Sequence, residues 1–259
     1  MATAGIVIIG DEILLGKFVE ENARFLIGEL RALGVDLRRV VMVPDERDDI
    51  AHAVVDLAGR YDHVFTSGGV GPTHDDITME AIAHAFGTHV VREPVLEARV
   101  RAYWGERLVE ANLRLADVPA GAELVYGKDQ VWPVVAYRNV YILPGVPTLF
   151  RRKFIDIRDR FRTEPVTVAR VYVDAEEGSI ADVLTATAGA FAQVKLGSYP
   201  RFSETEFRVM VTLEGRAADH VIGAFAHLLA ALGTLGARVV RTEPPALVAA
   251  APDASAAQA

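Results

Sequence analysis

The first half of the chain alternates between apolar runs and stretches with helical periodicity. Apolar, β-branched runs at residues 5–9, 35–43 and 61–65 predict buried strands. After each run, apolar residues recur at helical spacing: Leu26, Leu30 and Leu33; Ile50, Val54 and Leu57; Ile77, Ala81 and Ala85. Three strand–helix units in succession predict an α/β domain with a doubly wound, mostly parallel sheet.

The second half of the chain has a different order of elements. Beyond residue 163 the pattern predicts strand, helix, strand, strand, helix and strand, which is typical of a small α+β domain. From residue 244 onward the chain is rich in Ala and Pro and has no aromatic residue, a composition typical of disorder. We therefore expect an α/β domain at 1–163, an α+β domain at 164–243 and a disordered tail at 244–259.

Polar clusters follow three of the predicted parallel strands. Asp11 and Glu12 come after the first strand, Asp45 and Glu46 after the second, and the loop from Ser67 to Asp76 after the third. Ligands of open α/β sheets bind at the carboxyl edge of the strands. The three strand ends are therefore expected to meet in one functional site.

The loop at residues 66–78 carries the densest chemical signal in the chain. Its glycines Gly68, Gly69 and Gly71 lie between a strand and a helix, where backbone N–H groups and the helix dipole favour an anion. Asp75 and Asp76 follow and would repel a phosphate unless a hard cation lay between them. The third glycine of a dinucleotide fingerprint is missing, and no phosphate loop of the G-x-x-x-x-G-K-[ST] type occurs. The loop therefore indicates a metal-assisted phosphate site.

Simpler interpretations remain for each of these residues. A Gly-Gly turn ends many strands, and Asp75 or Asp76 can act as a helix N-cap. Glu12 can be a solvated loop acid, and Asn22 can be an N-cap that needs no ligand. The sequence pattern alone does not choose between these readings.

Composition narrows the class of protein. The 259 residues include no cysteine, which excludes disulfides, thiolate metal sites and thiol nucleophiles. A formal net charge of −8 argues against a nucleic-acid partner. Its apolar runs are far shorter than a membrane span, and its N-terminus lacks the pattern of a signal peptide. We expect a cytoplasmic protein without a membrane or nucleic-acid partner.

Several of these segments resemble the molybdopterin-binding-like (MoaB/MogA) domain family, of the type found in the N-terminal half of CinA. They are residues 10–14, Asn22, the loop 68–76 and the turn 143–147. Other segments are most similar to the N-terminal domain of eukaryotic FAD synthase: residues 3–6, 43–46, 139–141, 174–181 and 196–200. The resemblance runs from about residue 3 to residue 241 and covers both predicted domains.

The resemblance has limits. The amidohydrolase-like domain of CinA and the adenylyltransferase domain of FAD synthase are absent, so neither of those activities is expected of this chain. The N-x-x-G-T-A-P-G segment typical of CinA is replaced by residues 127–133. CinA's own substrate preference is therefore not carried over.

The resemblance implies two chemistries. CinA-like and FAD-synthase-like domains are associated with metal-dependent hydrolysis of the pyrophosphate bond in ADP-ribose or FAD. MogA-like domains bind and adenylylate molybdopterin, with aspartates that match Asp45 and Asp76. In both cases a divalent metal offsets charge on phosphoryl groups.

We therefore expect a metal-dependent pyrophosphatase acting on a dinucleotide or nucleotide sugar. The alternatives are a molybdopterin-binding protein of cofactor biosynthesis and a non-catalytic nucleotide-binding module. The expected cofactor is Mg²⁺, Mn²⁺ or Co²⁺, the ligand is a small nucleotide or pterin, and the assembly is a homo-oligomer (dimer or trimer). Asp45, Asp76 and Glu12 are the predicted catalytic residues, and Asp45, Asp75 and Asp76 the metal ligands. The predicted ligand-binding residues are Gly10, Asp11, Asn22, Ser67, Gly68, Gly69, Gly71, Thr73, Pro144 and Gly145.

Overall fold

The computed structural model describes residues 2–128, 132–201 and 206–248. The chain divides into two compact units, residues 1–163 and 164–250. We describe each unit by itself.

The first unit alternates strands and helices. Its strands are β1 (Thr3–Ile9), β2 (Asp36–Val43), β3 (His63–Ser67), β4 (Val90–Arg92), β5 (Asp117–Pro119), β6 (Glu123–Val125), β7 (Val134–Tyr137) and β8 (Val140–Leu143). Its helices are α1 (Asp11–Leu14), α2 (Asn22–Ala32), α3 (Arg47–Ala58), α4 (Thr78–Ala85), α5 (Pro94–Trp104), α6 (Glu110–Leu113) and α7 (Pro147–Ile157).

A six-stranded sheet with the order β2-β1-β3-β8-β7-β6 lies at the centre of this unit. The first four strands in that order are parallel, and β7 and β6 run antiparallel to their neighbours. This arrangement confirms the predicted doubly wound, mostly parallel sheet. The register pairs Ile9 with Val43, Ile8 with Ser67, and Ser67 with Leu143, so four strands end at one edge.

Both faces of the sheet are buried, which explains why its central strands are apolar throughout. Ile6 and Ile8 of β1 face one core cluster, which contains the phenylalanines of α7 and the leucines of α2. Val7 and Ile9 face a second cluster, which contains the apolar residues of α3 and α4. The helix faces predicted from their periodicity are therefore the buried faces.

Residues 88–125 differ from the sequence prediction. The strand predicted at 88–92 is β4, which pairs with β5 in a separate two-stranded sheet rather than in the central one. The helix predicted from residue 94 to about 110 ends at Trp104, because Gly105 turns the backbone to a φ of 51°. The stretch 112–119, predicted to be irregular, contains the end of α6 and all of β5. Strands β6 and β7 are too short to give a periodic signal of their own.

The second unit follows the predicted order of elements. It consists of β9 (Thr167–Asp174), α8 (Glu177–Ala190), β10 (Lys195–Pro200), β11 (Val209–Gly215), α9 (Ala218–Leu235) and β12 (Arg238–Leu247). These strands form an antiparallel sheet with the order β10-β11-β9-β12. The smaller domain predicted from the sequence is therefore present.

Helix α9 is, within the described residues, the one helix long and apolar enough to cross a membrane by length and composition. Its residues Val221, Ala224, Leu228 and Leu232 are fully buried and belong to the same core cluster as the sheet residues Val171 and Val211. This packing is typical of the core helix of a globular domain.

The predicted disordered tail begins too early, because residues 244–247 belong to strand β12. Pro244 and Pro245 lie at a register irregularity between Glu243 and Ala246, and β12 is an edge strand, where prolines are tolerated. After the irregularity, Leu247 again pairs with Thr167. Composition suggested disorder, but the sheet supplies hydrogen-bond partners that composition does not reveal. Residues 249–259 of the predicted tail lie outside the described residues.

Side chains also join the edge strand to β9. The Tyr172 hydroxyl donates to one carboxylate oxygen of Glu243 at 2.6 Å, and Arg170 donates to the other at 2.6 Å. The guanidinium of Arg241 lies 4.0 Å from the centre of the Tyr172 ring. Glu243 therefore holds the strand to the sheet beside the proline irregularity.

We predict that Glu243→Ala destabilises the protein by about 1 kcal/mol, since it removes two hydrogen bonds to a carboxylate at a partly exposed site. Thermal and urea unfolding measure the change. The control is Lys195→Ala, which alters an exposed residue on the opposite edge strand. Equal stabilities of the two variants would contradict this role of Glu243.

Candidate functional site

A single cleft lies at the carboxyl edge of the parallel strands. Its volume is about 1100 Å³, and it is lined by residues that follow β1, β3 and β8. Among the predicted site residues it includes Glu12, Asn22, Ser67, Gly68, Gly69, Gly71, Asp76, Pro144 and Gly145. The predicted ends of β1 and β3 therefore meet in this cleft, together with the end of β8, whereas Asp45 and Glu46, which follow β2, do not line it.

Gly68 marks the point where the loop leaves β3. Its φ is 111°, and a Cβ atom there would collide with the carbonyl oxygen of Ile9 in the neighbouring strand. Its N–H donates to the carbonyl of Leu143 at 3.2 Å. Gly68 is therefore required for packing between strands, and its N–H is not directed to a ligand.

Gly69 has a φ of 63°, and a Cβ there would collide with the hydroxyl oxygen of Thr78. That buried hydroxyl donates to the Gly68 carbonyl at 2.9 Å. Within the described residues, no acceptor takes the N–H of Gly69 or of Val70. These two N–H groups are the part of the predicted phosphate cradle that remains available to an anion.

Asp76 holds the loop together. Its Oδ1 accepts the Gly71 N–H at 2.6 Å, and its Oδ2 accepts the Thr73 N–H at 2.9 Å as well as the Thr73 hydroxyl. Helix α4 begins only at Thr78, after Ile77, so neither predicted aspartate caps it. Asp76 therefore acts as a clamp on the loop, and its predicted roles in catalysis and metal binding stay predictions.

The other acidic residues of the prediction form an electrostatic group. The partly buried Asp45 accepts the N–H of Asp11, the first residue of α1, at 2.9 Å. Burial raises the pKa of Asp45, and the nearby charges of Glu12, Asp11 and Asp75 raise it further, against the lowering effect of the Asp11 hydrogen bond. Loops from three strand ends thus bring four carboxylates near one another.

The described residues contain no preformed group of three His, Asp or Glu side chains that could hold a metal ion. Mg²⁺ nevertheless often binds through one or two carboxylates and completes its shell with water and substrate phosphates. The carboxylate oxygens of the predicted ligands Asp45 and Asp75 fit that mode of binding. Metal binding by these residues stays a prediction.

Asn22 lies at the start of α2 and is almost completely buried. Its Nδ2 donates to the Ser67 hydroxyl at 2.9 Å and to the Gly145 carbonyl at 2.7 Å. A carbonyl can only accept, so this contact fixes the orientation of the amide. Its Oδ1 is buried without a partner in the described structure, and the residue is part of the lining of the cleft. Asn22 therefore joins the ends of β3 and β8 and keeps one acceptor available.

Comparison with known proteins places this site in a family. A profile described as "Probable molybdopterin binding domain" matches residues 5–162, which form the α/β unit with the cleft. The chain belongs to this family. A second profile, "FAD synthase, middle domain", matches residues 165–238. The expected molybdopterin-binding-like membership is confirmed.

Individual relatives agree with this assignment. A "Probable FAD synthase" of Caenorhabditis elegans is 34% identical over 245 residues, covering 84% of this chain and 47% of the relative. A protein of Archaeoglobus fulgidus is 32% identical over 217 residues, covering 83% of this chain and 92% of the relative. The chain thus spans about half the length of the FAD synthase relative.

A solved structure also resembles the chain. It is the protein CinA of unknown function from Thermoplasma acidophilum, with a TM-score of 0.57 and 29% sequence identity. The match covers 62% of this chain and 98% of the CinA chain.

In this molybdopterin-binding-like chain, the cleft also contains residues that were not predicted from the sequence. Lys153 of α7 lines it, and its ammonium donates to the Pro133 carbonyl at 2.8 Å. Burial, and to a smaller extent the charge of Arg152, lower the pKa of Lys153 to about 8 against the opposing effect of Asp156. The sequence feature that could have indicated Lys153 is the basic run at residues 151–153. This run begins one helical turn after Pro147, the first residue of α7.

Three aromatic residues, Tyr103, Trp104 and Trp132, also line the cleft. No periodicity connects these residues, because Trp132 lies outside the helix that carries Tyr103 and Trp104. The sequence reading therefore gave them no role.

We predict opposite effects for two conservative changes in the ligand-free protein. Asp76→Asn should cost about 1–3 kcal/mol, since its amide oxygen can accept from only one side of the loop and its amide nitrogen cannot accept the N–H group on the other side. Asp45→Asn should leave stability unchanged or raise it by up to about 1 kcal/mol. Its amide oxygen can still accept the Asp11 N–H, and the change removes one of several mutually repelling charges. Urea unfolding in chelator measures both variants, and equal destabilisation would contradict the clamp.

We further predict that Lys153→Met changes the pH dependence of stability. Between pH 8 and the ordinary value of 10.5, the unfolded chain holds the Lys153 proton more tightly than the folded chain. The contribution of Lys153 to stability therefore rises with pH in this window, by at most about 3 kcal/mol. The free energy of unfolding of wild type, minus that of Lys153→Met, should therefore increase when both are measured from pH 7 to 10.5.

The matched control is Lys17→Met, which removes an exposed lysine from the same cleft. If both variants showed the same pH slope relative to wild type, the assignment to Lys153 would be wrong.

Proposed function

We propose that this chain is a metal-dependent pyrophosphatase that hydrolyses the pyrophosphate bond of a dinucleotide or nucleotide sugar, of the ADP-ribose or FAD type. The observation that supports it most is the combination of open N–H groups at Gly69 and Val70 with carboxylates around Asp45 at one strand edge. The first can hold a phosphoryl oxygen, and the second can hold a cation beside it.

The size of the cleft and the relatives agree with this proposal. A cleft of about 1100 Å³ is at the upper end of small-molecule sites and suits a dinucleotide better than a mononucleotide. The FAD synthase names of a matching profile and a relative also favour a nucleotide ligand. Because the C. elegans relative is about twice as long as the matched region, its whole activity is not transferred.

Each residue has a separate role in the proposed reaction. The clamp of Asp76 fixes the loop, so the Gly69 and Val70 N–H groups keep their direction when a charged phosphoryl group arrives. Glu12, which lines the cleft, is the proposed base that takes the proton of the attacking water. Lys153 can offset negative charge from α7. A divalent cation held by Asp45, Asp75 and the ligand's phosphates would neutralise charge on the reacting phosphoryl groups.

Asn22 favours a second candidate, a molybdopterin-binding protein of cofactor biosynthesis. Its buried Oδ1 has no partner among the described residues, and an acceptor of this kind suits an amino or N–H group of a pterin. A ribose hydroxyl would satisfy the same oxygen. The identity of the bound ligand therefore distinguishes the pyrophosphatase from the molybdopterin-binding protein.

We predict turnover in a chromatographic screen of ADP-ribose, FAD, NAD, CoA and dinucleoside polyphosphates with Mg²⁺, Mn²⁺ or Co²⁺. Chelator should abolish it. Glu12→Gln and Asp45→Asn should each lower kcat/KM by at least about 100-fold, since one loses the base and the other a cation ligand. The control Asp182→Asn changes an exposed acid on α8 and should keep wild-type turnover.

Three outcomes would contradict the proposal in different ways. Metal-independent turnover would remove the cation from the mechanism. A fluorescent pterin that copurifies with the protein, without hydrolysis of any dinucleotide, would favour the molybdopterin-binding candidate. Saturable nucleotide binding without turnover would favour a non-catalytic binding module.

A further inference from the structure

The cleft is lined by an aromatic cluster in addition to the glycine loop. Tyr103 and Trp104 form the last turn of α5, and Trp132 precedes β7. The apolar residues Met79, Leu96 and Leu115 also line the cleft. Because the aromatic cluster and the glycine loop line one continuous cleft, a single ligand can contact both.

The two tryptophans are partly buried and pack against the core cluster that contains Leu96, whereas Tyr103 is exposed. Tyr103 is 63% exposed, although it contacts two tryptophans. Its ring centre lies 4.5 Å from Trp104 at an interplanar angle of 66°, and 6.2 Å from Trp132 at 80°. Within the described residues, no aromatic ring stacks in parallel on any of the three. Each tryptophan therefore contacts the tyrosine at an inclined angle, and the exposed tyrosine side chain is accessible to a planar ligand.

We propose that Tyr103, Trp104 and Trp132 form a stacking subsite for the planar heteroaromatic ring of the ligand whose phosphates bind at the glycine loop. Aromatic side chains with free faces bind such rings through stacking, largely without regard to hydrogen-bonding pattern. This inference rests on the proposed function and names the ligand class: a phosphorylated compound that carries a flavin, purine or pterin ring. A nucleotide sugar would place its base here.

The chain's two tryptophans make the subsite directly observable. Both Trp104 and Trp132 line the cleft, so all indole fluorescence comes from the proposed subsite. We expect FMN, added in chelator so that no turnover occurs, to quench this emission saturably. N-acetyltryptophanamide at the same absorbance corrects for the inner-filter effect. AMP is titrated separately by calorimetry and is also tested as a competitor of FMN. Comparison of the two shows whether the subsite binds a purine or a flavin.

Variants of Tyr103 test the stacking. Tyr103→Ala should raise the Kd of the ligand that binds by about tenfold, whereas Tyr103→Phe should stay within about twofold of wild type. Because Tyr103 is exposed, neither change should prevent folding, and thermal melting checks this. The matched control Tyr199→Ala removes another exposed tyrosine, from β10, and should bind like wild type.

The outcomes separate this inference from the proposed function. A tenfold weaker FMN or AMP binding by Tyr103→Ala supports the subsite, even if no dinucleotide is hydrolysed. Hydrolysis with a wild-type KM in Tyr103→Ala would overturn the subsite and leave the pyrophosphatase proposal in place. The subsite is also overturned if neither FMN nor AMP binds, or if Tyr103→Ala and Tyr199→Ala bind equally.

Discussion

The candidate site depends on one close approach between backbones. Gly68 leaves β3 so near to the carbonyl of Ile9 in β1 that no side chain fits between the two strands. Its N–H at the same time binds the carbonyl of Leu143, at the end of β8. Three strand ends are thereby held at a fixed spacing. The loops that follow β1, β3 and β8 all start from this point, so their polar groups face one cleft.

Two side chains extend this constraint into the loops. Asp76 binds the N–H groups of Gly71 and Thr73, and Asn22 links the Ser67 hydroxyl to the Gly145 carbonyl. Such contacts order a site before a ligand arrives, so binding need not supply the cost of ordering the loop. What remains available is a small set of groups: two backbone N–H groups, one buried amide oxygen and a cluster of carboxylates.

The polar groups of the cleft thus divide into those that hold the loop together and those that remain available to a ligand. Gly68 and Gly71 were predicted as a phosphate cradle, yet close packing and an internal hydrogen bond explain both glycines. A glycine-rich sequence alone cannot separate these roles, because both need a residue without Cβ. The pairing of each N–H decides which role applies, and pairing is a property of the folded loop.

The sequence by itself determined the α/β class, the βαββαβ order of the second unit and the meeting of polar loops at one strand edge. These features follow from periodicity and from strand direction, which are local or nearly local signals. Tertiary structure alone decided the role of Asp76 as a clamp, the ordered strand through Pro244 and Pro245, and the positions of Lys153 and Trp132 in the cleft. Each of these depends on a partner far away in sequence, or on the geometry of a folded loop, which residue patterns do not encode.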